Sequence, residues 1–151
     1  MSILPSNPDF AVERGVPRAA AVIDIGATSI RMAIAEIYSD GQVRTLDTLT
    51  QPMDLGREAF ENRRLSRKSI ERSAAVLHRY QRVLQEYGIK PTDVRVVATT
   101  AVREASNRLA FADRIYVATG LNVEPIDEAE VNRITYMGVM PQLQAHPALA
   151  D

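Results

Sequence analysis

Six of the seven residues from 19 to 25 (AAAVIDI) are apolar, and the seventh is an aspartate. A run this short and continuous reads as a central β-strand covered on both faces, because a half-exposed strand would alternate apolar and polar residues. It stops at Gly26-Ala-Thr-Ser29, and a second run, Ile30–Tyr38, begins at once. Asp40-Gly41 then gives a two-residue hairpin signal, and Gln42–Met53 alternates well enough for a third strand. Three antiparallel strands joined by tight turns are expected to open the fold.

A long helix should follow. Ser66 suits an N-cap, with Leu65 before it and Ile70 at the spacing of a hydrophobic staple. Ile70, Ala74, Leu77, Tyr80, Leu84 and Tyr87 recur every three or four residues and predict one apolar face. Gly88 stands where a left-handed C-cap is wanted, with Pro91 shortly beyond. Val94–Ala98 is a short β-branched strand, Ala101–Thr119 a helical stretch closed by Gly120, and Leu121–Ile126 a fifth strand candidate. Asp127 would cap a last helix through Ile134 and Met137. Helical crossovers imply parallel neighbours, so the order βββαβαβα predicts an α/β fold with a mixed five-stranded sheet covered by helices. Residues 1–18 read as a flexible N-terminal arm, 19–140 as one lobe, and 141–151 as a tail or the start of a linker.

A chain of 151 residues is large enough for one domain with a sizeable core. With no cysteine, disulfides, thiolate metal sites and cysteine nucleophiles are excluded, which suits a reducing cytoplasm. The first 18 residues do not read as a signal peptide, and the longest apolar runs are far too short to span a bilayer. A net charge of −1 provides no global field to attract nucleic acid or an acidic membrane, so a polyanion site must be local.

Two stretches carry candidate chemistry. In Asp24-Ile-Gly26-Ala-Thr28-Ser29-Ile-Arg31, an aspartate at the end of a buried strand puts a carboxylate at the sheet's rim, and Gly26 permits a tight turn. Thr28 and Ser29 offer hydroxyl and amide donors to an anion, and Arg31 a guanidinium. A carboxylate beside such a loop is a natural seat for magnesium. A hairpin turn with a polar tip is the competing reading. In the second stretch, Val94 to Asn107, a strand enters a helix through Thr99-Thr100, and ligands in α/β sheets bind beyond the carboxyl ends of strands. Arg103 falls in the first helical turn, where the helix dipole disfavours a cation unless an anion compensates; a surface arginine is the plain alternative. Arg63, Arg64, Arg67, Lys68 and Arg72 form a basic cluster that reads as a solvated surface, with guidance of a polyanion as the alternative. His78 and His146 have no partner at metal-ligand spacing.

Together, AVIDIGATSIR and ATTAVREASN resemble the ASIDIGSNSxR-type and ATSALREAxN-type segments of the exopolyphosphatase / guanosine pentaphosphate phosphohydrolase (Ppx/GppA) family. The resemblance runs from about Ala19 to Val139 and implies a ribonuclease-H-like lobe of the actin, sugar kinase and heat-shock ATPase fold group. It implies that Asp24 helps hold a Mg²⁺ or similar ion. It places Gly26, Thr28, Ser29 and Arg31 on a phosphate loop, with Arg103 and Asn107 contacting the phosphate chain. Its implied ligands are polyphosphate or guanosine penta/tetraphosphate, with neither nucleic acid nor membrane as partner; it leaves room for a homodimer.

Two departures qualify it. The family's Glu-rich segment, SGEEEARLIYLG, ends its acidic run in the proposed base, and the matching position here is Val131. Glu130 is one residue earlier, which on a helix turns its carboxylate by about 100°, and a general base must come within about 3 Å of its proton or act through one water. The family's second phosphate loop, DIGGGSTE, has no counterpart before Asp151. The chain is therefore expected to hold about half of the cleft's walls, with a second lobe of the same protein completing them. Three functions stay open: hydrolysis of a terminal phosphoanhydride; a phosphate or alarmone-binding module that has lost its base at Val131; and a lobe of an ATP-dependent sugar kinase relative.

Overall fold

A computed structural model describes residues 15–125. The expected last helix, with Glu130 and Val131, the tail, His146 and the arm up to residue 14 lie outside the described residues. Strands β1 (Arg18–Ile25), β2 (Ser29–Ile37) and β3 (Val43–Pro52) come first, then helices α1 (Leu55–Asn62) and α2 (Arg67–Glu86). A 3₁₀ turn at Pro91–Asp93 leads into β4 (Val94–Ala98), α3 (Thr100–Glu104), α4 (Arg108–Thr119) and β5 (Val123–Pro125). The sheet order is β3-β2-β1-β4-β5. The β1–β2 and β2–β3 pairs are antiparallel, and β1–β4 and β4–β5 are parallel. The sheet is mixed and five-stranded, as expected.

One face of this sheet makes the core. Ile23, Met32 and Val96 lie side by side in register, as do Ile25, Ile30 and Ala98, all of them buried. Against them pack Ile70, Ala74, Leu77, Tyr80 and Leu84 of α2, and Phe111 and Ile115 of α4. Each large aliphatic side chain so buried contributes about 1.5–3 kcal/mol. Tyr80 is anchored further, its hydroxyl donating to the Ile30 carbonyl at 2.8 Å. Arg114 of α4 grips Glu71 of α2 with two hydrogen bonds of 2.8 Å. No helix among the described residues is long and apolar enough to cross a membrane.

Several expectations need correction. β1 is not covered on both faces: Val22 is 48% exposed, so the apolar run conceals an ordinary alternation in which Ala21, Ile23 and Ile25, with Ala19 partly buried beside them, face the core. The Asp40-Gly41 hairpin is a three-residue loop: Tyr38 and Gln42 pair across it, and Gly41 takes a φ of 82° to accept the extra residue. Tyr87 leaves the core face of α2 and donates its hydroxyl to Asp47 at 3.0 Å. The helical stretch after β4 breaks at Ala105, whose ψ of 133° is extended. Ser106 and Asn107 follow, residues that compete with helix for backbone hydrogen bonds. The sequence reading missed α1 altogether.

The capping signals of α2 match its ends. Ser66 accepts the Ser69 N–H at 3.1 Å, and Gly88 adopts a φ of 68° just past the helix. The cap is reinforced by Glu58 of α1. Its carboxylate accepts the Ser66 N–H and hydroxyl at 2.9 Å each and the Ser69 hydroxyl at 2.7 Å. A carboxylate at a helix N-terminus is favoured by the dipole as well as by these bonds. Burial raises the Glu58 pKa, but the bonds from Ser66 and Ser69, with Arg57 nearby, outweigh it and hold the carboxyl below its usual value.

Candidate functional site at the carboxyl ends of β1 and β4

Because β1 and β4 are parallel neighbours, their carboxyl ends open on the same rim of the sheet. The two stretches singled out in the sequence therefore meet. A cleft of about 470 Å³ is lined by Asp24, Gly26, Thr28, Ser29 and Arg31 from the first, and by Arg103 from the second. Ala27, Thr99, Thr100 and Glu104 complete it; the sequence showed the two threonines as the strand-to-helix passage but gave them no role.

The loop between β1 and β2 is held from behind. Gly26 donates to Ser29 O at 2.9 Å, closing the turn, and a Cβ on Gly26 would come within 3.3 Å of that oxygen. The carbonyls of Ala27 and Thr28 accept the N–H groups of Gly56 and Met53, each at 2.9 Å. With their carbonyls turned back into the protein, Ala27 and Thr28 keep their own N–H groups without a partner among the described residues. Two such amides beside two hydroxyls are the kind of donor set that anion-binding loops use. Thr99 secures the other wall, its N–H and Oγ1 both reaching the Ile25 carbonyl, at 3.2 and 3.4 Å.

Asp24 and Arg31 face each other directly across the β1–β2 pair, on the sheet face away from α2. Burial raises the pKa of Asp24, and the charge of Arg31 opposes that shift. Oδ1 of Asp24 is buried and has no hydrogen-bond partner among the described residues. An orphaned carboxylate oxygen is costly unless something unseen satisfies it, and a cation or an ordered water would. Among the described residues no group of three or more His, Cys, Asp or Glu could hold a metal. A single carboxylate is compatible only with an ion that keeps most of its ligands as water or phosphate, and magnesium is of that kind.

Two expectations about the second stretch change. Arg103 is in the last turn of α3, a helix of five residues, so the helix-dipole argument for an anion beside it has no force. Its place in the cleft is what marks it. Its side chain is 31% exposed, and its guanidinium lies 3.9 Å from the Glu104 carboxylate, a loose contact. Asn107 does not line the cleft. Its Oδ1 accepts the Leu65 N–H at 3.0 Å and its Nδ2 donates to the Leu65 carbonyl at 2.8 Å, so both ends of the amide are committed to backbone. The basic cluster Arg63, Arg64, Arg67, Lys68 and Arg72 is exposed, as is His78.

Gly56 is the position the sequence reading overlooked. A Cβ there would lie 2.7 Å from Ala27 Cβ, so the first turn of α1 rests directly on the loop. The available signal was Asp54, a residue of N-cap type, ahead of Leu55 and Ala59 at helical spacing. An eight-residue helix gives a periodicity argument little to work with.

The sequence profile of the Ppx/GppA phosphatase family matches residues 33–150. A bifunctional 3-dehydroquinate synthase/phosphatase of Fusobacterium nucleatum is 27% identical over 124 residues, 80% of this chain and 19% of that protein. A guanosine-5'-triphosphate,3'-diphosphate pyrophosphatase of Aliivibrio fischeri is 28% identical, over 82% of this chain and 24% of its own length. Among solved structures, the Ppx/GppA family member of Aquifex aeolicus superposes with a TM-score of 0.75 at 33% identity, over 82% of this chain and 40% of that one. An exopolyphosphatase of Cytophaga hutchinsonii gives 0.68 at 27% identity, over 74% and 35%. The α/β lobe thus has the architecture of actin-like ATPase folds, and it spans about a quarter or less of the two curated relatives.

Proposed function

This chain belongs to the Ppx/GppA phosphatase family, and from that premise we propose that it forms one wall of a cleft that hydrolyses the terminal phosphoanhydride of polyphosphate or of a guanosine pentaphosphate. The observation that carries this reading is the convergence of Asp24, the Gly26–Ser29 loop and Arg103 on one cleft. The free N–H groups of Ala27 and Thr28, with the Thr28 and Ser29 hydroxyls, would hold the oxygens of the terminal phosphate. Arg31 and Arg103 would offset the charge that these oxygens carry as the bridging P–O bond breaks. Magnesium, seated at Asp24 and on the phosphates, would supply further charge neutralisation when bound. A water attacks phosphorus in line with the leaving phosphate, and a second lobe of the same protein would supply the facing wall.

Val131, at the position expected to carry the base, favours a second reading: a phosphate- or alarmone-binding module with weak turnover. Phosphate release by the intact protein from polyphosphate and from guanosine pentaphosphate, with magnesium present, separates the two. Hydrolysis is expected, and Arg103→Ala should weaken polyphosphate binding about 10- to 100-fold, the worth of a charge-assisted contact. Binding without release, reversed by Val131→Glu, would select the module. Transfer of phosphate from ATP to a sugar, with no release from either substrate, would overturn both.

A further inference from the structure

We propose that Asn107 is a positioning residue for Arg103, which it serves by fastening the α3–α4 turn to the α1–α2 turn; this rests on the reading of Arg103 given above. A five-residue helix cannot hold its own geometry, because nucleating a single turn is unfavourable in isolation. The placement of Arg103 must therefore come from its surroundings: Ala101 and Val102 of α3 are buried in the core, and both ends of the helix are tied down. At the N-terminal end, Thr99 is tied to the Ile25 carbonyl. At the C-terminal end, Ser106 donates its N–H to the Arg63 carbonyl at 2.8 Å, and the Asn107 amide makes both bonds to Leu65.

The Asn107 side chain thus acts as one more peptide group, pairing with Leu65 as a neighbouring strand would. Leu65 is 1% exposed and Ala105 fully buried, so the joint is seated on the core, with the Asn107 amide itself partly buried. The far end of the joint is α1. That helix presses Gly56 onto Ala27 at its first turn, and at its end Arg63 takes a left-handed φ of 54° and offers the carbonyl that Ser106 uses. Eight residues of helix measure about 12 Å. One rigid segment therefore touches the phosphate loop at one end and, through Asn107, the Arg103 segment at the other. The spacing between the two anion-binding elements is set by this strut, and Asn107 is the side chain that closes it.

A double-mutant cycle in the intact protein tests this, with tripolyphosphate binding followed by calorimetry for wild type, R103A, N107A and R103A/N107A. Thermal melts confirm that each is folded at the assay temperature. N107A should weaken binding about tenfold while Arg103 is present, and should add less than about twofold in the R103A background, because the residue acts only through Arg103. N107D, which keeps the acceptor for the Leu65 N–H but loses the donor to its carbonyl, should fall between, at about threefold. If N107A does not fold, N107D carries the same cycle. An N107A effect of equal size with and without Arg103, or no effect in its presence, overturns the inference and leaves the phosphate-binding reading standing. An R103A protein that binds tripolyphosphate as wild type does removes both.

Discussion

Gly56 donates its N–H to the Ala27 carbonyl at 2.9 Å, and the two residues are so close that a methyl group on Gly56 would lie 2.7 Å from the one on Ala27. Helix α1 is thus built directly against the β1–β2 loop, with only the Ala27 methyl group at the contact.

Gly56→Ala is therefore expected to displace the loop. Overpacking of this kind costs about 1–3 kcal/mol, and tripolyphosphate affinity should fall with it. Removing the opposing methyl group relieves the clash, so the Ala27→Gly/Gly56→Ala double variant should recover most of the affinity and stability. Calorimetry and thermal melts of the four proteins check this; a double variant as impaired as Gly56→Ala alone would show that the methyl contact is not the cause.

Asp24 is predicted to trade stability for function. Its folded-state pKa lies above its ordinary value of 3.8 because burial disfavours the charge more than Arg31 favours it. The folded protein therefore binds the proton more tightly than the unfolded chain. The ionised group costs stability above the folded pKa, and that cost vanishes as pH falls below the unfolded value. Asp24→Asn should raise the melting temperature at pH 7 in EDTA, with no gain below about pH 3.5. The same variant should lose magnesium-dependent phosphate release. Melts across pH, with and without magnesium, provide the measurement; a destabilised Asp24→Asn at neutral pH would contradict it.

Glu58 has the opposite sign. Its pKa is depressed below its ordinary value of 4.5, so its contribution is present above that value and is lost as pH falls through the folded-state pKa. Glu58→Ala removes the acceptor shared by Ser66 and Ser69 and should cost about 1–2 kcal/mol at pH 7. The difference from wild type should shrink as pH falls below 4.5 and through the depressed folded-state pKa, where the carboxyl becomes protonated in wild type as well. Chemical denaturation across this pH range checks it, and a penalty independent of pH would assign the loss to packing alone.

Much of this architecture was legible in the sequence because its signals are local. Ser66, Gly88 and Gly120 mark helix ends by conformations that their side chains, or the lack of one, make cheap. The β1–β2 loop and the Arg103 stretch stood out as polar residues following apolar strands. What escaped depends on distant partners. Nothing near Asn107 in the chain says that its amide will be consumed by Leu65, 42 residues earlier. Val22 looked like core because its neighbours are apolar, yet which face of β1 is covered depends on where α2 and α4 lie. Helix α1 is too short to announce itself by periodicity, and Gly56 reveals its purpose only against Ala27.

The pairing of β1 with β4 has a kinetic corollary. Residues 21–25 meet residues 94–98 only after the intervening hairpins and helices have been gathered in, a closure whose entropic cost precedes any return from the contact. Until that happens the two halves of the cleft are strangers on a flexible chain. Competence to grip a polyanion should thus arrive in one step with the centre of the sheet, and refolding followed by ligand capture should show a single late rise rather than gradual gain.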